Sequence, residues 1–104
     1  MGDVRQLRQI RPVEPLWREV LGTRLRQLRR HRRMTLADTA AIAGISPQYL
    51  SEIERGRKDP SSEIVAAVAG ALGCTLTEVT DLTVRDLRRE TFAAMPRGPV
   101  ALAA

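Results

Sequence analysis

The stretch Gly44-Ile45-Ser46-Pro47-Gln48-Tyr49-Leu50-Ser51-Glu52-Ile53-Glu54-Arg55-Gly56 holds a turn, a helix start and a helix stop. The Ser46 hydroxyl can cap orphan backbone donors, and Pro47 at the first helical position lacks the donor that would otherwise be wasted. Gly56 can take the left-handed conformation that ends a helix. Between these signals Leu50 and Ile53 mark one apolar face, while Gln48, Tyr49, Ser51 and Glu52 fall outside it.

Upstream, Thr35 is a cap for a second helix over Leu36 to Ala43, whose alanines Ala37, Ala40 and Ala41 permit close approach of another helix. Gly44 reverses the chain between the two. Ala40, Gly44, Ile45, Leu50 and Ile53 supply the small residue, the turn and the apolar plugs that two steeply crossing helices need. A helix-turn-helix of this kind projects the N-terminal residues of its second member into a DNA major groove.

Working outward, Leu16, Val20, Leu21, Leu25 and Leu28 recur three or four apart and predict a first helix from Leu16 to Arg32, with most arginines off its apolar face. Ser61 or Ser62 starts a fourth helix to about Leu72, with Ile64, Val65, Val68 and Leu72 inward and Gly73 as its stop. A short fifth helix is expected over Thr75 to Leu82, with Leu76, Val79 and Leu82 inward. Val84, Leu87 and Thr91 extend the pattern weakly into an additional helix within 83–95. No alternating β pattern occurs, so the fold class is all-α. Residues 1–15, with Pro12 and Pro15, read as a flexible leader, and 96–104, with Pro96, Gly98 and Pro99, as a disordered tail. The helix-turn-helix domain is expected over 16–82.

A chain of 104 residues has room for one small core. Its net charge of +5, from 17 basic and 12 acidic residues, favours a polyanionic partner. Residues 16–33 alone carry +6, so the excess sits in one segment. A single cysteine, Cys74, excludes an internal disulfide, and one histidine, His31, leaves no ordinary Cys/His zinc site. Cys74 reads as a small packed residue and His31 as a helix-end residue. No cofactor or metal is expected. No apolar run reaches a membrane span and no signal-peptide core is present, which predicts a cytoplasmic protein without membrane contact. Enzymatic activity is not expected, since no nucleophile and base pair, phosphate-cradling glycine loop or metal cluster is recognisable.

Three strings together, Leu25-Arg26-Gln27-Leu28-Arg29, Thr35 to Ala40, and Gly44 to Gly56, resemble the Cro/C1-type (XRE) helix-turn-helix regulators over about residues 18–82. The resemblance implies a five-helix, lambda-repressor-like DNA-binding domain. It also implies a homodimer on two half-sites of double-stranded DNA about 34 Å apart. Leu16 to Gly22 and Ser46 to Gly56 look most like the actinobacterial regulators of Clp protease genes. That subgroup resemblance implies an activator of those genes and RNA polymerase as a further partner.

On this reading Pro47, Gln48, Tyr49, Ser51 and Glu52 face bases. The Gln48 amide can pair with adenine N6 and N7, and Glu52 can accept from cytosine N4. Tyr49 can touch a thymine methyl or a phosphate, or else its ring covers the turn. Thr35, Ser46, Arg55, Arg57 and Lys58 are the expected phosphate contacts, against the alternative of a solvated loop. The family pattern pairs Arg29 with Glu54 as a structural ion pair. Two positions depart from it: Leu36 stands where glutamine often opens the second helix and bonds the backbone or a base, and Arg33 replaces a common glycine, which implies either a different turn or an added phosphate contact. The other arginines of the +6 segment can likewise either make such contacts or form a solubilising face. The apolar Ala101-Leu102-Ala103-Ala104 resembles the end of tags that deliver proteins to Clp-type proteases, which makes Leu102, Ala103 and Ala104 a candidate degradation signal. The competing reading is an antitoxin or other protein-interaction module on the same fold, with Val84 to Phe92 capturing a partner.

Overall fold

Side-chain caps set the helix starts. In the computed structural model, which describes residues 15–94, Thr35, Ser46, Ser61 and Thr75 each accept a hydrogen bond from the backbone N–H three residues on. The Glu78 carboxylate returns the bond to the Thr75 N–H at 2.9 Å, closing a reciprocal cap. The elements are α1 (Trp17–His31), α2 (Leu36–Ala43), α3 (Pro47–Glu54), α4 (Ser62–Ala71) and α5 (Leu76–Ala94). The described residues contain no strand. Gly44 (φ 78°) and Gly56 (φ 75°) make the left-handed turns that end α2 and α3. The same conformation after α1 falls on Arg33 (φ 56°), where a side chain is strained.

The helices close around Leu21 and Leu25 of α1, Ala40 of α2, Leu50 and Ile53 of α3, Val65, Val68 and Ala69 of α4, Leu72 just past it, and Val79 of α5. Each fully buried leucine or isoleucine contributes roughly 1.5–3 kcal/mol of apolar transfer. Helix α2 packs on α3 and α4, α1 packs on α3 and α5, and α4 packs on α5. Of the alanines expected to allow close approach, Ala40 is fully buried while Ala37 and Ala41 are exposed, and Thr39, fully buried on the same helix, has no hydrogen-bond partner for its hydroxyl.

Three expectations need correction. The fifth and additional helices are one continuous helix, Leu76–Ala94, so no boundary falls between 82 and 83. No glycine or proline interrupts that stretch, and Thr83 is accommodated because its buried hydroxyl donates to the Val79 carbonyl at 2.7 Å. Val79 and Thr83 therefore form the inward face of α5, and Leu76, expected inward, is 36% exposed. Leu16 precedes α1 as its cap residue and is likewise exposed, because the first helix begins at Trp17. All but Pro15 of the leader over 1–15, the tail over 96–104 and the Leu102-Ala103-Ala104 signal lie outside the described residues.

Candidate nucleic-acid interface

Helix α3 is held by its C-terminal end, which leaves its N-terminal end open. Glu54, in its last turn, is buried, and its carboxylate accepts two bonds from Arg29 of α1, from Nε at 2.8 Å and from Nη2 at 2.9 Å. The Arg29 Nη1 donates to the Met34 carbonyl at 2.9 Å, so one guanidinium ties α1, the turn before α2, and α3 together. The hydrogen bonds that Arg29 donates to Glu54 hold its pKa above the ordinary arginine value, despite burial acting the other way. Arg18 adds a second tie, its Nε donating to the Gly56 carbonyl at 2.9 Å. Gly22 of α1 lies directly against the backbone carbonyls of Ile53 and Glu54.

At the other end Pro47 and Gln48 are exposed and Tyr49, Ser51 and Glu52 half-buried. Tyr49 packs against the core cluster, which favours the ring-over-the-turn alternative for most of its surface. Ser46 is exposed and its hydroxyl is engaged as the α3 cap at 3.0 Å, as is that of Thr35 for α2. Arg55, Arg57 and Lys58 are all exposed and lie in the segment immediately after α3. Thus the caps Thr35 and Ser46 and the outward residues Pro47 and Gln48 stand at or near exposed helix N-termini, where the backbone dipole favours negative charge, and the basic segment follows the C-terminal end of α3. Beside it a notch of about 110 Å³ is lined by Arg26, Arg29, Leu36, Ser51, Glu54 and Arg55. Leu36 is half-buried and packs on the core, so the helix α2 entrance presents no side-chain amide there.

A second ion pair escaped the sequence reading. Arg24, expected among the outward arginines, forms a two-point pair with Asp86 of α5, Nε to Oδ2 and Nη2 to Oδ1, both at 2.6 Å. The hydrogen bond raises the Arg24 pKa, with burial opposing it. Sixty-two positions separate the two residues, and no local spacing signals such a pair. Among the described residues no group of three or more His, Cys, Asp or Glu side chains could hold a metal ion, and no single helix is long and apolar enough to cross a membrane.

A trihelical unit whose last helix is fixed at its base, open at its N-terminus and followed by an exposed basic segment fits the class of helix-turn-helix DNA-binding domains. The helix-turn-helix family model matches residues 25–79, and the chain belongs to that family, in its Cro/C1 (XRE) form. It is 46% identical over 85 residues to the transcriptional regulator ClgR of Mycobacterium tuberculosis, a match that covers 80% of this chain and 76% of ClgR. The HTH-type transcriptional regulator DdrOP3 of Deinococcus deserti is 40% identical over 78 residues, 75% of this chain and 60% of that protein. Among solved structures, the clp gene regulator ClgR from Corynebacterium glutamicum matches with a TM-score of 0.74 at 41% identity, over 78% of this chain and 86% of that one. The chain is accordingly a transcriptional regulator built on a helix-turn-helix DNA-binding domain, in a family of regulators rather than enzymes.

Proposed function

We propose that the protein is a cytoplasmic, homodimeric, sequence-specific regulator that sets α3 into the major groove of a palindromic operator. The observation that carries this reading is the asymmetry of α3: its base is locked by Arg29, Arg18 and Gly22, and its exposed N-terminus carries Gln48. Pro47, Gln48, Tyr49, Ser51 and Glu52 face the base edges, with Gln48 the principal reader. Thr35, Ser46, Arg55, Arg57 and Lys58 hold phosphates and fix the register. Tyr49, half-buried, contributes only its ring edge or hydroxyl.

Selection of bound sequences from random duplex DNA, run in parallel for wild type and Gln48→Ala, tests the reading. Wild type is expected to enrich a two-fold-symmetric site. The variant is expected to relax one base pair per half-site, a loss of about 1–3 kcal/mol of discrimination. No enrichment, with only salt-sensitive background binding, would turn the reading toward protein-partner capture.

The relationship to a clp gene regulator supports the finer proposal that the operators lie at Clp protease genes and that binding activates them by recruiting RNA polymerase. Placed before a reporter, the selected site should raise expression when the regulator is present, and a fall would reverse the sign. We further propose that Leu102, Ala103 and Ala104 deliver the chain to a Clp-type protease. Replacing Ala103 and Ala104 by Asp should lengthen its lifetime in cells, and equal half-lives would dispose of that role.

A further inference from the structure

The seven arginines between positions 18 and 33 divide into two groups. Arg18 is tied to the Gly56 carbonyl, Arg24 to Asp86 and Arg29 to Glu54, and the Arg32 guanidinium lies against Gly73 at the turn between α4 and α5. Arg18, Arg24 and Arg29 are thereby committed to holding the fold, whereas Arg32 is exposed, makes no side-chain hydrogen bond and only lies against that turn. The side chains of Arg26, Arg30 and Arg33 are exposed and make no hydrogen bond or ion pair among the described residues. Arg26 and Arg30 stand one turn apart on the same face of α1, roughly 6 Å along its axis. Arg33 follows the helix end, two residues before the Thr35 cap of α2.

Of the three, Arg26 adjoins the α3 surface, and Arg30 shares its face of α1. Arg26 lines the notch that also takes in Ser51 and Arg55 of the α3 end. The Arg29–Glu54 pair at the base of that notch is neutral as a unit, which leaves the local potential to Arg26 and Arg55. Arg33 occupies a left-handed conformation that glycine would adopt without strain. A strained position that nonetheless carries a long cation, three residues past Arg30, supports a use for its charge.

We propose that Arg26, Arg30 and Arg33 form a phosphate-binding ridge on α1, which grips the DNA backbone outside the base-reading site and independently of sequence. This inference rests on the helix-turn-helix reading given above and assigns to α1 a contact surface of its own.

The test is fluorescence anisotropy with the full chain, on a random-sequence duplex and on a duplex carrying the selected site, between 50 and 200 mM salt. The triple variant Arg26→Ala/Arg30→Ala/Arg33→Gly is expected to flatten the dependence of log affinity on log salt. The slope should change by about 0.9 for each phosphate given up, equally on both duplexes. Arg33→Gly alone should leave the melting temperature unchanged or raised while weakening both duplexes, which separates grip from fold. Lysines at all three positions should restore most of the slope. An unaltered slope in the triple variant would reduce the ridge to a solubilising face and overturn the proposal. So would a loss confined to the selected site, since that would make the three arginines base readers. Gln48→Ala measured alongside keeps the two ideas apart: it should alter the ratio between duplexes and leave the slope as in wild type. A wild-type protein that fails to discriminate between the duplexes would instead overturn the operator reading, with the ridge still judged on the random duplex.

Discussion

Glu54→Ala is expected to lower stability by about 3–5 kcal/mol, because it leaves the Arg29 guanidinium buried without its counter-ion. The pair is among the least accessible polar groups in the molecule, with side-chain exposures of 11% for Arg29 and 5% for Glu54. Both oxygens of the carboxylate are used, so alanine removes two charge-assisted bonds at once. Arg29 cannot easily swing out to solvent, since doing so would also release the Met34 carbonyl and loosen the entry to α2. A domain of this size has roughly 5–15 kcal/mol in total, so the loss takes a large share of it. Urea denaturation measures the effect directly, and a melt equal to wild type would sink the account. Removing both partners together, as Arg29→Leu/Glu54→Leu, should cost less than Glu54→Ala, because neither charge is then stranded. The sign of the pH dependence follows from the raised Arg29 pKa. Its contribution is fully present below the ordinary arginine value and is lost only as pH rises past that value through the raised one, so alkaline solutions near pH 9 should not release the clamp.

Signals confined to a few neighbouring residues were legible in the sequence. Thr35, Ser46 and Ser61 cap as their positions relative to the apolar pattern imply, and Gly44 and Gly56 stop helices where the pattern ends. Ala40, Leu50 and Ile53 plug the helix-turn-helix because three-residue and four-residue spacing fixes one helical face. Leu76 misled because apolar character was read as burial; the helix buries Val79 and Thr83, and a threonine satisfied by its own helix carries no apolar signal. The break expected after Leu82 failed for a related reason: a weakening of the pattern marks where packing thins, whereas ending a helix takes a stop residue, and none occurs before Ala94. Arg24 and Arg18 were illegible in principle. Which of several arginines finds a carboxylate or a carbonyl is decided by tertiary approach, 62 positions away for Asp86 and 38 for Gly56. The Arg29–Glu54 pair lies at similar range and became readable only through family resemblance.

Gly22→Ala sets helix propensity against tertiary contact, and the contact is expected to win. Within an exposed helix the change would stabilise by roughly 0.5–1 kcal/mol, since glycine gives up more chain entropy on folding than alanine. Position 22 is in the middle of α1 and buried, and an added Cβ would sit 2.7 Å from the Glu54 carbonyl oxygen, 2.9 Å from its carbonyl carbon, and closer still to the Ile53 carbonyl oxygen. These are backbone atoms, so no rotamer change relieves the clash. Nor is that backbone free to retreat. The Ile53 carbonyl accepts from the Gly56 N–H at 3.0 Å, the Gly56 carbonyl is held by Arg18, and the Glu54 carboxylate is held by Arg29. Relief must come from separating α1 and α3, which opens the contact between Leu21, Leu25 and Ile53 and lengthens both arginine ties. Overpacking of this kind costs about 1–3 kcal/mol and more where the neighbours are rigid, so the net effect is destabilising by about 3 kcal/mol. The functional consequence follows from the same geometry. A displaced α3 changes the angle at which Gln48 meets the duplex, so the folded fraction of Gly22→Ala should bind the selected site more weakly, with its salt slope nearly intact. Urea denaturation read beside anisotropy distinguishes the outcomes, and a variant more stable than wild type would refute the close approach of α1 to α3 on which the whole α3 mounting depends.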